Sequence, residues 1–174
     1  TGPQGQAVIR YTFPKNDSAI GVHIRLITAA KNTMFKYSLE TALQDAALYG
    51  KAPFGLDTLR SDGLECTAQD YALLHDGTHA LSVSNTGTYA LSAENGALRM
   101  TLLRTPAYCA HPIEGRRIMR QDRFGEHMDQ GERQFGFQIN ASEAAARLER
   151  VNTESLLLNQ PPMALSFFPQ GAGE

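Results

Sequence analysis

Tyr71-Ala72-Leu73-Leu74-His75-Asp76-Gly77-Thr78-His79-Ala80-Leu81-Ser82-Val83 is two short apolar runs around an Asp-Gly pair. Asp-Gly favours a tight turn, so the pattern predicts a β-hairpin. Moving outward, Asn85-Thr86-Gly87 is a second turn signal and residues 88–92 a further strand. Glu94-Asn95-Gly96 is a third, since Asn-Gly suits the left-handed conformations of two-residue hairpin turns, and residues 98–104 follow as a strand at once. Residues 21–26 alternate apolar and polar, and residues 34–39 repeat this with Phe35, Tyr37 and Leu39 on one side. Residues 7–13 are rich in strand formers, and Phe135, Phe137 and Ile139 alternate with Gln134, Gly136 and Gln138. A succession of short strands with turns about 8–12 residues apart predicts an antiparallel β-sandwich or barrel. No strand–helix rhythm points to a parallel sheet.

One helix is expected near the end. Asn140 with Glu143 three positions on forms a capping-box pattern, after which Ala141, Ala145, Leu148 and Val151 share a face while Arg147, Glu149 and Arg150 look elsewhere. A second short turn is expected over residues 153–158, ended by Pro161-Pro162, and residues 163–168 read as a last strand.

At 174 residues the chain has the size of one domain. Its 42% hydrophobic and 20% charged residues are those of an ordinary globular protein. A net charge of −2 argues against nucleic acid, where basic patches supply most of the affinity. No apolar run approaches the ~20 residues of a membrane span. The start is polar and lacks an initiator Met, which reads as a processed or excised chain without a signal peptide. Cys66 and Cys109 make no disulfide framework and read as reduced thiols in a cytoplasmic protein.

The segment 105–131 exceeds the ~12–15 residues beyond which a loop is usually functional or disordered. His111, Asp122, His127 and Asp129 are ligand types zinc accepts, but they match no compact motif, and Arg116, Arg117, Arg120 and Arg123 would repel a cation. A solvated or interface loop is the plainer reading. Cys109 near His111 is no nucleophile–base pair without further support, and no Gly-x-Ser-x-Gly elbow is present. Asp129 and Glu132 flank a strand start and read as turn and edge chemistry, not as a glycosidase carboxylate pair. Leu98, Met100, Leu102 and Arg104 share a strand face by parity, so Arg104 must pair, reach the edge or meet a ligand. Asn85 and Tyr89 bracket a turn with an amide and a phenol, both apt for sugar contact, although an Asx-turn and a packed tyrosine are the simpler account.

Several segments together resemble the C-terminal β-domain of glycoside hydrolase family 38, the α-mannosidases. They are Leu98-Arg99-Met100-Thr101-Leu102-Leu103-Arg104-Thr105-Pro106, Asp129-Gln130-Gly131-Glu132, Pro53-Phe54-Gly55, Ala68-Gln69-Asp70-Tyr71, Asn85-Thr86-Gly87-Thr88-Tyr89, Ala107-Tyr108-Cys109-Ala110-His111-Pro112 and Ala164-Leu165-Ser166-Phe167-Phe168-Pro169. Tyr71 stands where the family usually has Trp, and Thr86 where the turn usually has Asp, which weakens sugar contact at that turn. The resemblance implies a single sandwich domain over residues 1–174, of the galactose-mutarotase-like (supersandwich) type. It implies that the chain is part of a retaining α-mannosidase whose catalytic domain, N-terminal to it, carries the aspartate nucleophile and a divalent metal, usually zinc. The domain alone would then be inactive and hold no cofactor. Its expected partners are that catalytic domain, a mannose-containing oligosaccharide and, through oligomer contacts, further copies. The expected cleft-rim residues are Arg104, Asn85 and Tyr89. Two other readings are a stand-alone carbohydrate-binding module, against which the absence of Trp counts, and a mutarotase-like domain using His75, His79 and Glu65.

Overall fold

The computed structural model describes residues 2, 4–106, 127–168 and 171. Among the described residues the architecture is an antiparallel β-sandwich with one C-terminal helix. A seven-stranded sheet has the order β1-β2-β11-β8-β7-β4-β5, and a four-stranded sheet the order β3-β10-β9-β6. The larger sheet is built from β1 (Gln6–Thr12), β2 (Ile20–Thr28), β4 (Ala47–Ala52), β5 (Gly55–Leu59), β7 (Gln69–His75), β8 (His79–Asn85) and β11 (Gly131–Glu143). The smaller holds β3 (Met34–Glu40), β6 (Cys66–Thr67), β9 (Ala90–Glu94) and β10 (Ala97–Arg104). No helix among the described residues is long and apolar enough to cross a membrane.

The core between the sheets follows the alternation of the strands. Val22 and Ile24 from β2, Leu74 and Val83 from β7 and β8, and Phe137 and Ile139 from β11 meet Tyr37, Leu91, Leu98 and Met100 of the smaller sheet. His23 and Arg25, the alternate residues of β2, are exposed. This is the inside–outside pattern of a strand with one face in a sandwich core. Tyr37 stacks on Phe137 with ring centroids 5.8 Å apart.

The turns form where their chemistry demands. Asn95 and Gly96 both have positive φ (51° and 76°), the geometry of a two-residue hairpin turn, and join β9 to β10. A Cβ on Gly96 would lie 2.5 Å from the Leu43 carbonyl oxygen, so this position needs glycine on two counts. At the β7–β8 turn, Asp76 Oδ1 accepts the backbone N–H groups of Thr78 and His79, each at 2.8 Å.

The C-terminal region departs from the sequence expectation. Asn140 and Glu143 form no capping box: Glu143 itself takes the N-cap position, with no side-chain cap bond, and Asn140 lies before the helix. They continue β11, opposite Ser82 and His79 of β8. Ladder pairing satisfies their backbone groups more completely than a cap would, and Asn140 is buried, its Oδ1 accepting from the Ser18 hydroxyl at 3.1 Å. Helix α1 (Ala144–Asn159) begins beyond them and runs unbroken through residues 153–158. Its buried face is Ala144, Arg147, Val151 and Ser155, so only Val151 of the expected face is correct and Arg147 points inward rather than out. α1 covers the outer side of β7 and β8, packing Ala144 and Val151 with Tyr71, Leu73 and Ala80. Arg147 is 1% exposed; its two Nη groups donate to Glu154 at 2.8 and 2.6 Å. Residues 163–168 join no sheet and are exposed, against the expectation of a last strand.

Candidate functional site

A groove of about 920 Å³ opens at the end of the sandwich where β8 stops. Its walls come from the turn after β8, the ends of β10, the start of β3 and the first residues of β11. Met34, Leu102, Leu103 and Phe135 give it an apolar floor, and Tyr89 and Arg104 stand on its rim. Both are exposed, with Tyr89 at 52%.

Asn85 shapes the turn that carries Tyr89. It is 1% exposed, and its Oδ1 accepts the N–H groups of Gly87 at 3.0 Å and Thr88 at 2.9 Å. This is an Asx-type turn, and Gly87 takes the positive φ (125°) it requires. The Asn85 carbonyl accepts from Asn159 Nδ2 at 3.0 Å, which pins the end of α1 to the same corner. The Asn85 Nδ2 is buried with no partner among the described residues. Of the three expected rim residues, the fold therefore brings Tyr89 and Arg104 to one groove and sets Asn85 behind its wall.

Arg104 reaches the rim by a route that parity does not predict. β10 pairs regularly with β3 up to Thr101 opposite Lys36, then shifts so that Leu103 lies opposite Phe35 and Arg104 opposite Met34. The extra residue is a β-bulge, and it reverses the side on which later residues stand. Leu98 and Met100 enter the core, but Arg104 leaves that face and joins Thr101 and Lys36 on the polar one. There it lies 3.8 Å from Glu65, which also takes a short hydrogen bond from the Thr101 hydroxyl and lies 3.5 Å from Lys36 Nζ. Lys36 Nζ in turn donates to Ser92 Oγ at 3.0 Å. The Thr101 hydroxyl first, then the charges of Lys36 and Arg104, hold the Glu65 carboxyl below the usual carboxylate range although partial burial pushes it up. Glu65 stays ionised near neutral pH and lies within ion-pair distance of Arg104 beside the groove. Sequence reading passed over this role for Glu65 because its partners lie on two other strands, β3 and β10.

The remaining candidates do not assemble into a site. His75 stacks on Tyr49 with centroids 4.9 Å apart, and its Nδ1 accepts from Gly77 N–H at 3.1 Å. His79 starts β8 in the same hairpin, whereas Glu65 precedes β6 of the other sheet, so the acid–base set of a mutarotase is not brought together. Burial pushes the Cys66 thiol up, and it donates to the Leu91 carbonyl at 3.6 Å, the environment of an unreactive cysteine. His111, Asp122 and Cys109 lie outside the described residues, as does most of the 105–131 segment. Among the described residues no group of three or more His, Cys, Asp or Glu side chains could hold a metal. Asp129 lines the groove and pairs with Arg133 at 3.5 Å, whereas Glu132 is bound to Arg25 through two bonds of 2.6 Å outside it.

No family model matches the sequence, and no curated protein matches it. Solved structures do. A protein in glycosyl hydrolase family 38 from Enterococcus faecalis superposes with a TM-score of 0.69 at 12% identity, over 87% of this chain and 18% of that one. An α-mannosidase from Enterococcus faecalis V583 gives the same TM-score of 0.69, identity of 12% and coverage of 87% and 18%. The fold is one found within family 38 α-mannosidase chains. At this identity the likeness is one of fold, and the chain spans under a fifth of the length of the proteins it matches.

Proposed function

We propose that this chain is the accessory β-sandwich of a cytoplasmic retaining α-mannosidase, with catalysis carried by a separate domain N-terminal to it. In this reading the groove forms part of the rim of the substrate cleft. Tyr89 offers an aromatic face with a hydroxyl tip, and Arg104 offers guanidinium donors to sugar hydroxyls. Asn85 acts behind them by fixing the turn. Zinc or another divalent metal would belong to the catalytic domain, and surfaces outside the groove would meet that domain and further copies of the enzyme. The observation that carries the reading is that the fold matches a part of α-mannosidase chains while Tyr89 and Arg104, at the open end of the β9–β10 hairpin, line one groove.

The test is hydrolysis of a mannose-containing oligosaccharide, with zinc, by the enzyme that contains this domain and by this chain alone. The whole enzyme is expected to be active and the chain inactive. Arg104→Ala and Tyr89→Phe in the whole enzyme should raise KM for the oligosaccharide while leaving turnover of a small aryl α-mannoside unchanged. Metal-dependent turnover by the chain alone would sink the reading. Saturable binding of free mannose oligosaccharide by the chain alone, at the strength of a dedicated module, would favour a carbohydrate-binding module instead.

A further inference from the structure

β11 is longer than the strand beside it. Tyr11, Val22, Phe137 and Asn85 lie in one row across β1, β2, β11 and β8. Beyond that row β2 continues to pair with β11 as far as Gly131, but β8 has ended. The Gly136 carbonyl accepts from the Thr86 N–H at 3.2 Å, so it faces the side β8 has left. By the two-residue period, Gln134 turns its N–H and C=O to that same side, where no strand follows among the described residues. Gln134 and Phe135 line the groove. Among the described residues the apolar floor is bounded by an open strand edge, which is a template for one more strand.

A fitting strand begins at the same corner. Asn159, the last residue of α1, is bonded to the Asn85 carbonyl at the end of β8. The residues that follow alternate as Met163, Leu165 and Phe167 against Ala164 and Ser166, the period of a half-buried strand. Yet Met163, Leu165, Phe167 and Phe168 are 83–90% exposed. Four large apolar side chains next to one another in water mark a segment whose packing partner is elsewhere. Gln160, Pro161 and Pro162 span at most about 10 Å when extended, and the two prolines stiffen that span. A tether this short gives the segment an effective concentration in the millimolar range or above at the groove of its own chain, which favours that groove over a second copy.

We propose that residues 163–168 seat in the groove of the same chain as a short strand added to β11. Running on in the direction of β8, they lie antiparallel to β11. Leu165 and Phe167 cover the floor formed by Met34, Leu103 and Phe135, and the strand completes the ladder at Gln134. This goes beyond the saccharide reading and stands without it, because the pairing needs no sugar: the strand covers the apolar floor and leaves Tyr89 and Arg104 on the rim.

Amide hydrogen exchange on the whole chain, free of saccharide, tests it. The Gln134 N–H is expected to be protected, and Leu165→Asp with Phe167→Asp should speed its exchange roughly tenfold or more while amides in the β8–β11 ladder keep theirs. Those ladder amides show that the variant remains folded. Free exchange at Gln134 in the unmodified chain would overturn the proposal. Equal protection in chain and variant would overturn it too, by assigning the cover to another segment. Protection that rises with protein concentration would assign the strand to a second copy and likewise reject the pairing within one chain.

Discussion

The two faces of the seven-stranded sheet are closed by opposite means. The inner face meets the smaller sheet through an apolar cluster that includes Val22, Ile24, Leu48, Leu74, Leu98 and Met100. The outer face meets α1 through a far smaller apolar set, and at its centre lies a charged side chain, Arg147, closed off by Glu154. The inner face gains from every methylene it removes from water. The outer face depends on a pair whose attraction must offset the cost of taking a guanidinium out of water. One sheet thus carries a core that tolerates gradual erosion on one side and a layer that fails at a single point on the other.

The largest expected effect breaks that single point. Glu154→Ala leaves the Arg147 guanidinium buried without its counter-ion, which should destabilise the chain by about 3–5 kcal/mol in chemical denaturation. The converse sharpens the comparison. Arg147→Met with Glu154→Leu removes both charges and the unpartnered Arg147 Nε, and should leave stability near that of the unmodified chain or above it. A double variant as unstable as Glu154→Ala would mean that packing around α1, not the charge pair, holds the outer layer.

Next in size is erosion of the inner face. Leu98 is fully buried among residues of both sheets, and Leu98→Ala should cost about 2–5 kcal/mol from lost transfer energy and the cavity left behind. Val151→Ala, its counterpart under α1, removes less surface and should cost roughly 1.5–3 kcal/mol. Equal losses at the two sites would contradict the view that the inner cluster is the main core.

The same contrast explains what could be read from the sequence. The inner face was legible because a half-buried strand writes its burial in every second residue, as in Val22, Ile24 and Leu26 against His23 and Arg25. The Asn95-Gly96 turn was legible because few residue pairs adopt positive φ without strain. The outer layer was not. Asn140 and Glu143 carry a helix start signal of about 1 kcal/mol, but β8 offers them a full ladder, and tertiary pairing outweighs a local cap. Arg147 reads as a solvent residue because burial of arginine depends on Glu154, two turns away. The groove was half legible. Tyr89 and Arg104 stood out by chemistry, but the bulge at Leu102 that turns Arg104 from the core face to the polar face leaves no mark in residue type. Nothing in the sequence ties Glu65 to Thr101, Lys36 and Arg104, since the tie is made by strand order.

That last network sets a half-buried polar cluster against the buried Arg147 pair and carries the smallest effect. Glu65 is folded among a hydroxyl and two cations that hold its carboxyl below the usual carboxylate range. A carboxyl whose folded value is depressed contributes its stability in full above the unfolded value, near pH 4.3, and loses it as pH falls through the folded value. The unmodified chain should therefore exceed Glu65→Gln by up to about 1 kcal/mol near neutral pH, because solvent around Lys36 and Arg104 screens the interaction. The gap should close as pH drops below the usual carboxylate range. Denaturation midpoints of both proteins between neutral and acid pH measure it. The absence of a gap at every pH would show that Gln replaces the carboxylate through its hydrogen bond to Thr101 alone. Arg104 would then be held at the groove rim by the bulge in β10 and not by charge, and the Arg104 guanidinium would be free to turn toward a ligand without releasing Glu65.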